Sequence, residues 1–243
     1  MSERFFVDEP ITAERVTLDG AEAHHLLHVM RAGLGEAVTL FDDSGAEFTA
    51  IIDQLGRSDV QLRVDERREV NRELPFSLVV GVALPKGERQ KWLVGKLTEL
   101  GIASLVPLET ERGVAQPTGN AIQRLRRTVI EAAKQCGRNR LMQIAEPQAW
   151  ADWMIHTPTA RSLESAQRRF LAHPGGMPLS KLELSTPRTT RFAVGPEGGF
   201  TDTEVALATD AGWQAADLGP RILRVETAAV AMAATIVQSC SHD

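Results

Sequence analysis

FAVGPEGGFTDTEVALATDAG, residues 192–212, decides how the second half of the chain is built. An apolar run, Phe192–Val194, breaks on Gly195-Pro196-Glu197-Gly198-Gly199. Residues 200–212 have the marks of a capped helix. Thr201 and Glu204 have the T-x-x-E spacing of a capping box, and Phe200 and Val205 stand where a hydrophobic staple forms. Gly212 is a natural stop. Strand, glycine turn and helix in this order often hold a phosphate at the helix N-terminus. Here Glu197, Asp202 and Glu204 crowd that end, and no Lys or Arg occurs between Ala193 and Arg221. The acids use the field that would attract an anion. A nucleoside without phosphates, or a ligand with a positive centre, fits better. A tight turn with no ligand is the competing reading.

A second loop changes the balance. An expected strand, Gln214–Leu218, runs into Gly219-Pro220-Arg221-Ile222-Leu223-Arg224. The helix expected next, Glu226–Ser239, is apolar almost all round, as buried helices are. In parallel α/β sheets ligands sit outside the carboxyl ends of the strands. Two Gly-Pro loops, each after a strand, are therefore expected to face one cleft, with Arg221, Arg224 and Glu226 entering it. A weak surface ion pair at a helix start is the plainer account of Arg224-Val225-Glu226.

From Pro75 onward strands and helices alternate, which argues for a parallel α/β sheet. Strands are expected at Phe76–Ala83, Ser104–Leu108, Arg168–Ala172 and Thr190–Val194. Helices are expected at Gly87–Leu100, from Asn120 along Ile122, Leu125, Val129 and Ala133, and at Trp150–Ile155. Before Pro75 the rhythm is different. Short strands at Arg4–Val7, Ala37–Phe41, Glu47–Leu55 and Val60–Val64, with one helix at Ala21–Arg31, suggest a small β-barrel. The charged run Asp65–Glu73 reads as a linker. The division is a β-rich domain over 1–72 and an α/β domain over 73–243.

The chain has 243 residues, a net charge of −5, and ordinary hydrophobic (43%) and charged (24%) fractions. Residues 1–72 are acidic, at −7, while the remainder is +2. Within 124–140 six basic residues face Glu131 alone, which points to RNA as much as to a solvated face. Cys136 and Cys240 stand far apart with no zinc spacing, so a reducing cytoplasm is expected. Neither a signal peptide nor a membrane span is expected. His24, His25 and His28 lack the surroundings of a metal site, and no metal is expected. No P-loop, G-x-G-x-x-G or G-x-S-x-G motif occurs.

Gly195–Phe200 and Leu218–Ala228 closely resemble the two late motifs of the ribosomal RNA small subunit methyltransferase E (RsmE) family, in the SPOUT class. Arg4–Val7, His24–Arg31, Lys86-Gly87, Thr98–Gly101 and Gln135–Arg138 match in order and spacing. Cys136 stands where serine is common in relatives. The resemblance implies an N-terminal PUA-like β-barrel and a SPOUT-type parallel α/β domain with a deep trefoil knot. It implies a cytoplasmic homodimer that uses S-adenosylmethionine to methylate N3 of a uridine in 16S rRNA of the small ribosomal subunit. Cofactor contacts carry over to Gly195, Glu197, Gly198, Leu218, Gly219, Ile222 and Leu223. The reaction itself is assigned to Arg224, as a cationic donor or an orienting group, to Glu226, orienting Arg224 or moving the proton, and to Thr227. RNA contacts are assigned to Arg4, His25, Arg31, Lys86, Arg138 and Arg140. The alternatives are a SPOUT enzyme for another RNA base, and a non-catalytic RNA-binding or assembly protein on the same fold.

Overall fold

The computed structural model describes residues 3–113, 119–155, 167–184 and 189–240. The chain forms two compact units, Met1–Glu73 with Ile130–Leu141, and Leu74–Val129 with Met142–Asp243.

The first unit is a five-stranded sheet. Its strands are β1 (Arg4–Phe6), β2 (Arg15–Leu18), β3 (Ala37–Phe41), β4 (Ala46–Leu55) and β5 (Val60–Glu69), in the order β1-β3-β4-β5-β2. Alternation decides the register. Phe48, Ala50 and Ile52 of β4 share the core with Leu40 of β3 and Val60 and Leu62 of β5. The expected linker is half strand, because β5 runs on to Glu69. Glu66, Arg67, Arg68 and Glu69 pair with Thr49, Phe48, Glu47 and Ala46. Cross-strand contacts support a strand this charged: Arg68 lies 3.6 Å from the Glu47 carboxylate, and the Arg67 guanidinium stands over the Phe48 ring. The expected helix over Ala21–Arg31 is two pieces. Helix α1 (Gly20–His24) gives way to a π-helical turn, His25–Met30, which ends on Arg31 in the left-handed region.

The second unit carries a seven-stranded parallel sheet. Its strands are β6 (Ser77–Val82), β7 (Ser104–Glu109), the short β8 (Gln143–Ile144) and β9 (Gln148–Ala149), β10 (Gln167–Pro178), β11 (Thr189–Val194) and β12 (Gln214–Asp217). The order is β12-β10-β11-β6-β7-β8, with β9 also on β7. Helices α2 (Glu88–Glu99), α3 (Gly119–Cys136), α4 (Trp150–Ile155), α5 (Asp202–Asp210) and α6 (Val225–Cys240) complete the chain, the end of α3 belonging to the first unit. Helix α6 packs on α2, β6 and β11. Its small residues permit that closeness, and Ala229, Met232, Ala233 and Ile236 are buried.

An aromatic group of Trp150, Trp153, Trp213 and Phe200 packs with Val106, Leu171 and Ala193 of the sheet. Gly81 leaves room for it, since a Cβ there would stand 2.7 Å from the Trp153 ring. Arg191 is buried in the same group, over Trp153 at 4.1 Å, and donates to the Trp153 carbonyl at 2.6 Å. Burial, with a smaller push from Arg169, lowers its pKa to about 10, so it stays charged at neutral pH.

Candidate functional site

The two Gly-Pro loops meet. A cleft of about 370 Å³ lies at the carboxyl ends of β11 and β12 and beside the middle of β10, where its register shifts after Ala172. All seven residues expected to hold a ligand line it: Gly195, Glu197, Gly198, Leu218, Gly219, Ile222 and Leu223. Strands β11 and β12 are consecutive in sequence but not neighbours in the sheet. β10 lies between them, so its bulged middle adds His173 and Pro174 to the wall.

Local interactions set the loop shapes. Asp217 ties the loop after β12 to the bulge of β10, its Oδ1 accepting from Gly219 N at 2.8 Å and its Oδ2 from Gly175 N at 3.2 Å. Gly219 needs its φ of +111°, a region that side chains avoid. At Gly195 the constraint is space, since a Cβ would stand 2.9 Å from the Phe200 ring and 3.1 Å from the Phe200 amide. The capping box forms: Thr201 Oγ1 accepts from Glu204 N at 3.2 Å, and Glu204 Oε2 accepts from Thr201 N at 2.8 Å. The free Glu204 oxygen accepts from Glu111 N at 3.0 Å. This holds the segment after β7 against α5. Arg112 in that segment donates to the Gly198 carbonyl at 2.8 Å and also lines the cleft.

The residues assigned to the reaction stand at the start of α6. Val225 and Ala228 line the cleft, while Arg224, Glu226 and Thr227 do not. Arg224 and Thr227 are exposed. Glu226 is buried, and its Oε2 has no hydrogen-bond partner among the described residues. Its ion pair is with Arg89 of α2, at 3.7 Å, rather than with Arg224. The other arm of Arg89 reaches Glu197 of the cleft wall at 3.3 Å.

The residues assigned to RNA divide in two. Lys86, Arg31 and Arg140 are exposed, and His25 is half-buried with its ring edge-on to Phe5. Arg4 and Arg138 are committed inside the first unit. Arg4 donates to Glu47 at 3.1 Å, to Asn139 Oδ1 and to the Arg138 carbonyl. Arg138 is bonded to Glu73. Among the described residues no cluster of three or more His, Cys, Asp or Glu is arranged for a metal, and no helix is long and apolar enough to cross a membrane.

Three charged or polar residues of the site stand outside the sequence expectations: Arg112 and His173 in the wall, and Arg89 paired to Glu197 of that wall. For Arg89 the neighbouring Lys86-Gly87 was a signal. For His173 it was the turn His173-Pro174-Gly175-Gly176 after an apolar strand. Arg112 had none, since only the packing of its segment on α5 brings it in.

The donor set suits a nucleoside better than a phosphate. Glu197, Asp202 and Asp217 line the cleft against Arg112 and Arg221, and Arg112 is already bonded to a carbonyl. Four glycines, Gly195, Gly198, Gly199 and Gly219, expose backbone in the wall, and the volume lies within the ~300–1,000 Å³ of small-molecule sites.

Comparison with known proteins agrees. Residues 72–237 match the family model described as RNA methyltransferase domain, and residues 18–65 match the RNA methyltransferase PUA domain. The ribosomal RNA small subunit methyltransferase E of Synechocystis sp. is 34% identical over 221 residues, 90% of this chain and 72% of that protein. The enzyme of the same name from Mycobacterium bovis is 33% identical over 255 residues, 98% of this chain and 93% of that one. Among solved structures, the ribosomal RNA small subunit methyltransferase E of Neisseria gonorrhoeae, bound to S-adenosylmethionine, is 27% identical with a TM-score of 0.85 over 96% of both chains. A putative methyltransferase from Legionella pneumophila with bound S-adenosylmethionine is 28% identical with a TM-score of 0.87 over 97% of both. With its PUA domain, its parallel α/β methyltransferase domain and its paired Gly-Pro loops, the chain belongs to the SPOUT-class ribosomal RNA small subunit methyltransferase E family.

Proposed function

We propose that the protein methylates N3 of a uridine in small-subunit 16S rRNA, with S-adenosylmethionine as donor held in the cleft at Gly195–Gly199 and Gly219–Leu223. The observation that carries this reading is the convergence of both family motifs on one cleft whose acids disfavour phosphate. When bound, S-adenosylmethionine supplies a methyl group on a sulfonium centre that leaves as a neutral thioether. The chain's own residues do the rest. The loop backbones around Gly195, Gly198 and Gly219 hold the adenosine, with Glu197, Leu218, Ile222 and Leu223 beside them. Holding both reactants in line supplies much of the rate. Glu226 takes the N3 proton. Its buried Oε2, free of hydrogen bonds among the described residues, supports that role. Arg224 orients the uridine from the exposed start of α6, and Thr227 offers a hydroxyl beside it. Lys86, Arg31, Arg140 and His25 contact the RNA. A paired or stacked uridine must be turned out first.

Incubation with small subunits, then nucleoside mass spectrometry, tests the reading. Finding 3-methyluridine supports it, and finding another methylated base, or none, rejects it. Arg224→Ala is expected to keep cofactor affinity within about tenfold while turnover falls by about thirtyfold, the pattern of an interaction made mainly in the transition state. Equal losses in both make it a binding residue instead. Gly195→Ala is expected to weaken cofactor binding by about tenfold or more in calorimetry, because the loop must move away from Phe200. The same reading includes a homodimer, a knotted cofactor site, and domains over 1–72 and 73–243. Sedimentation equilibrium at twice the chain's 26.6 kDa is the expected result.

A further inference from the structure

Beside the cleft lies a second pocket, of about 210 Å³. Ala83, Pro85 and Pro196 supply apolar wall, and Lys86, Arg89 and Glu197 supply charge. We propose that this pocket receives the target base itself, a uracil ring turned out of the RNA, with Lys86 and Arg89 facing its carbonyl oxygens. The inference rests on the reading of the protein as a uridine methyltransferase.

Position is the first argument. Pro196 and Glu197 line both cavities, so the two adjoin. Methyl transfer requires acceptor and donor sites that adjoin. Size is the second. The volume is below the ~300 Å³ at which ligand sites usually begin, which suits one ring rather than a whole nucleotide. Chemistry is the third. Uracil presents two carbonyl acceptors with one N–H between them. A flat proline face accepts the ring, and cationic donors suit the oxygens.

Arg89 is the fourth argument. Glu197 at 3.3 Å and Glu226 at 3.7 Å hold its two arms. The same guanidinium that reaches the pocket is thus tied to the carboxylate assigned to the N3 proton. Glu226 does not line this pocket but stands behind Arg89, which does. As N3 loses its proton toward that carboxylate, negative charge builds on the flanking oxygens, and it is discharged when the N3 electron pair bonds the methyl carbon and the sulfonium leaves as a thioether. A cation fixed beforehand by two carboxylates stabilises that charge without reorganising.

Two measurements test the pocket. The first is photo-crosslinking. Small-subunit rRNA carries 4-thiouridine at the position where nucleoside mapping finds the methyl group. Crosslinks are expected on the peptides spanning Ala83–Arg89 or Pro196–Glu197. Crosslinks found only elsewhere overturn the proposal. The second fills the space with Ala83→Leu. Cofactor affinity and RNA affinity are each expected to stay within about threefold, since phosphate contacts supply most RNA binding. The single-turnover methylation rate is expected to fall by about twentyfold, with the melting temperature as a folding check. Lost cofactor binding would assign the pocket to the donor, and an unchanged rate would leave it outside the reaction. Either result overturns the proposal, and the crosslink decides should Ala83→Leu fail to fold. A wild-type protein that makes no 3-methyluridine rejects the underlying function instead, so the two failures are distinct.

Discussion

Glu226→Gln is expected to lower the methyl-transfer rate by about 10²–10⁴-fold while cofactor affinity stays within about threefold. The substitution keeps the shape of the side chain and removes its ability to take a proton. Glu226 does not line the cofactor cleft, so binding there has little to lose. The carboxylate is buried, and its Oε2 makes no hydrogen bond among the described residues. Its neighbour of opposite charge is the Arg89 guanidinium at 3.7 Å, beyond hydrogen-bond reach. With no hydrogen bond to give up, that oxygen is able to accept the N3 proton. Arg89 keeps Glu197 as a partner in the variant, so the wall between the cavities is expected to survive. Single-turnover rates with calorimetric cofactor titration make the comparison. Parallel losses in rate and cofactor affinity would make Glu226 a structural residue.

Glu47→Ala is expected to destabilise the first unit by about 3 kcal/mol or more. Glu47 accepts from Arg4 and from Arg72, each at 3.1 Å, and its side chain is only 9% exposed. Removing it leaves Arg4, itself largely buried, with only neutral acceptors, Asn139 Oδ1 and the Arg138 carbonyl. The dependence on acidity has a definite sign. Burial alone would raise the Glu47 pKa, but the hydrogen bonds and charges of Arg72 and Arg4 outweigh it and hold the carboxyl below its usual value of 4.5. Its contribution is therefore full above pH 4.5 and is lost as the pH falls through the lower folded value. Wild type is expected to lose stability there more steeply than Glu47→Ala in pH-resolved thermal melts. Matching acid limbs would deny Glu47 this role. Glu22 works in the opposite sense. Burial, against Lys134, raises its pKa, so its neutral form favours the folded state as the pH falls.

Much of the architecture is legible one segment at a time. β3 and α4 fall on their expected limits, and β6, β7 and β11 lie within a residue or so of theirs. Their signals are local, an apolar run closed by a turn or a period of 3.6 closed by glycine. The capping box at Thr201 and Glu204 is readable for the same reason, because its atoms belong to residues three apart. β2 is not legible. Arg15–Leu18 is too short and too exposed to show alternation, and its pairing with β5 defines it. The second half of β5 reads as linker because its charges mask a strand that only β4 opposite can reveal.

The sequence by itself determined the two loops, the helix behind each, and the absence of a phosphate-binding pattern. Each depends on residues that touch their near neighbours along the chain. Only the tertiary structure decided what the loops face and which cations they meet. β10 enters between β11 and β12 and brings His173, while α2 brings Arg89 to both Glu197 and Glu226. Arg89 lies 108 positions from Glu197. No pattern along the chain encodes that meeting, because the order of strands in the sheet creates it. Arg4 and Arg138, basic residues suited by sequence to RNA, are drawn inward by Glu47 and Glu73. A charge is read from one letter, but its use depends on the partner that folding places beside it.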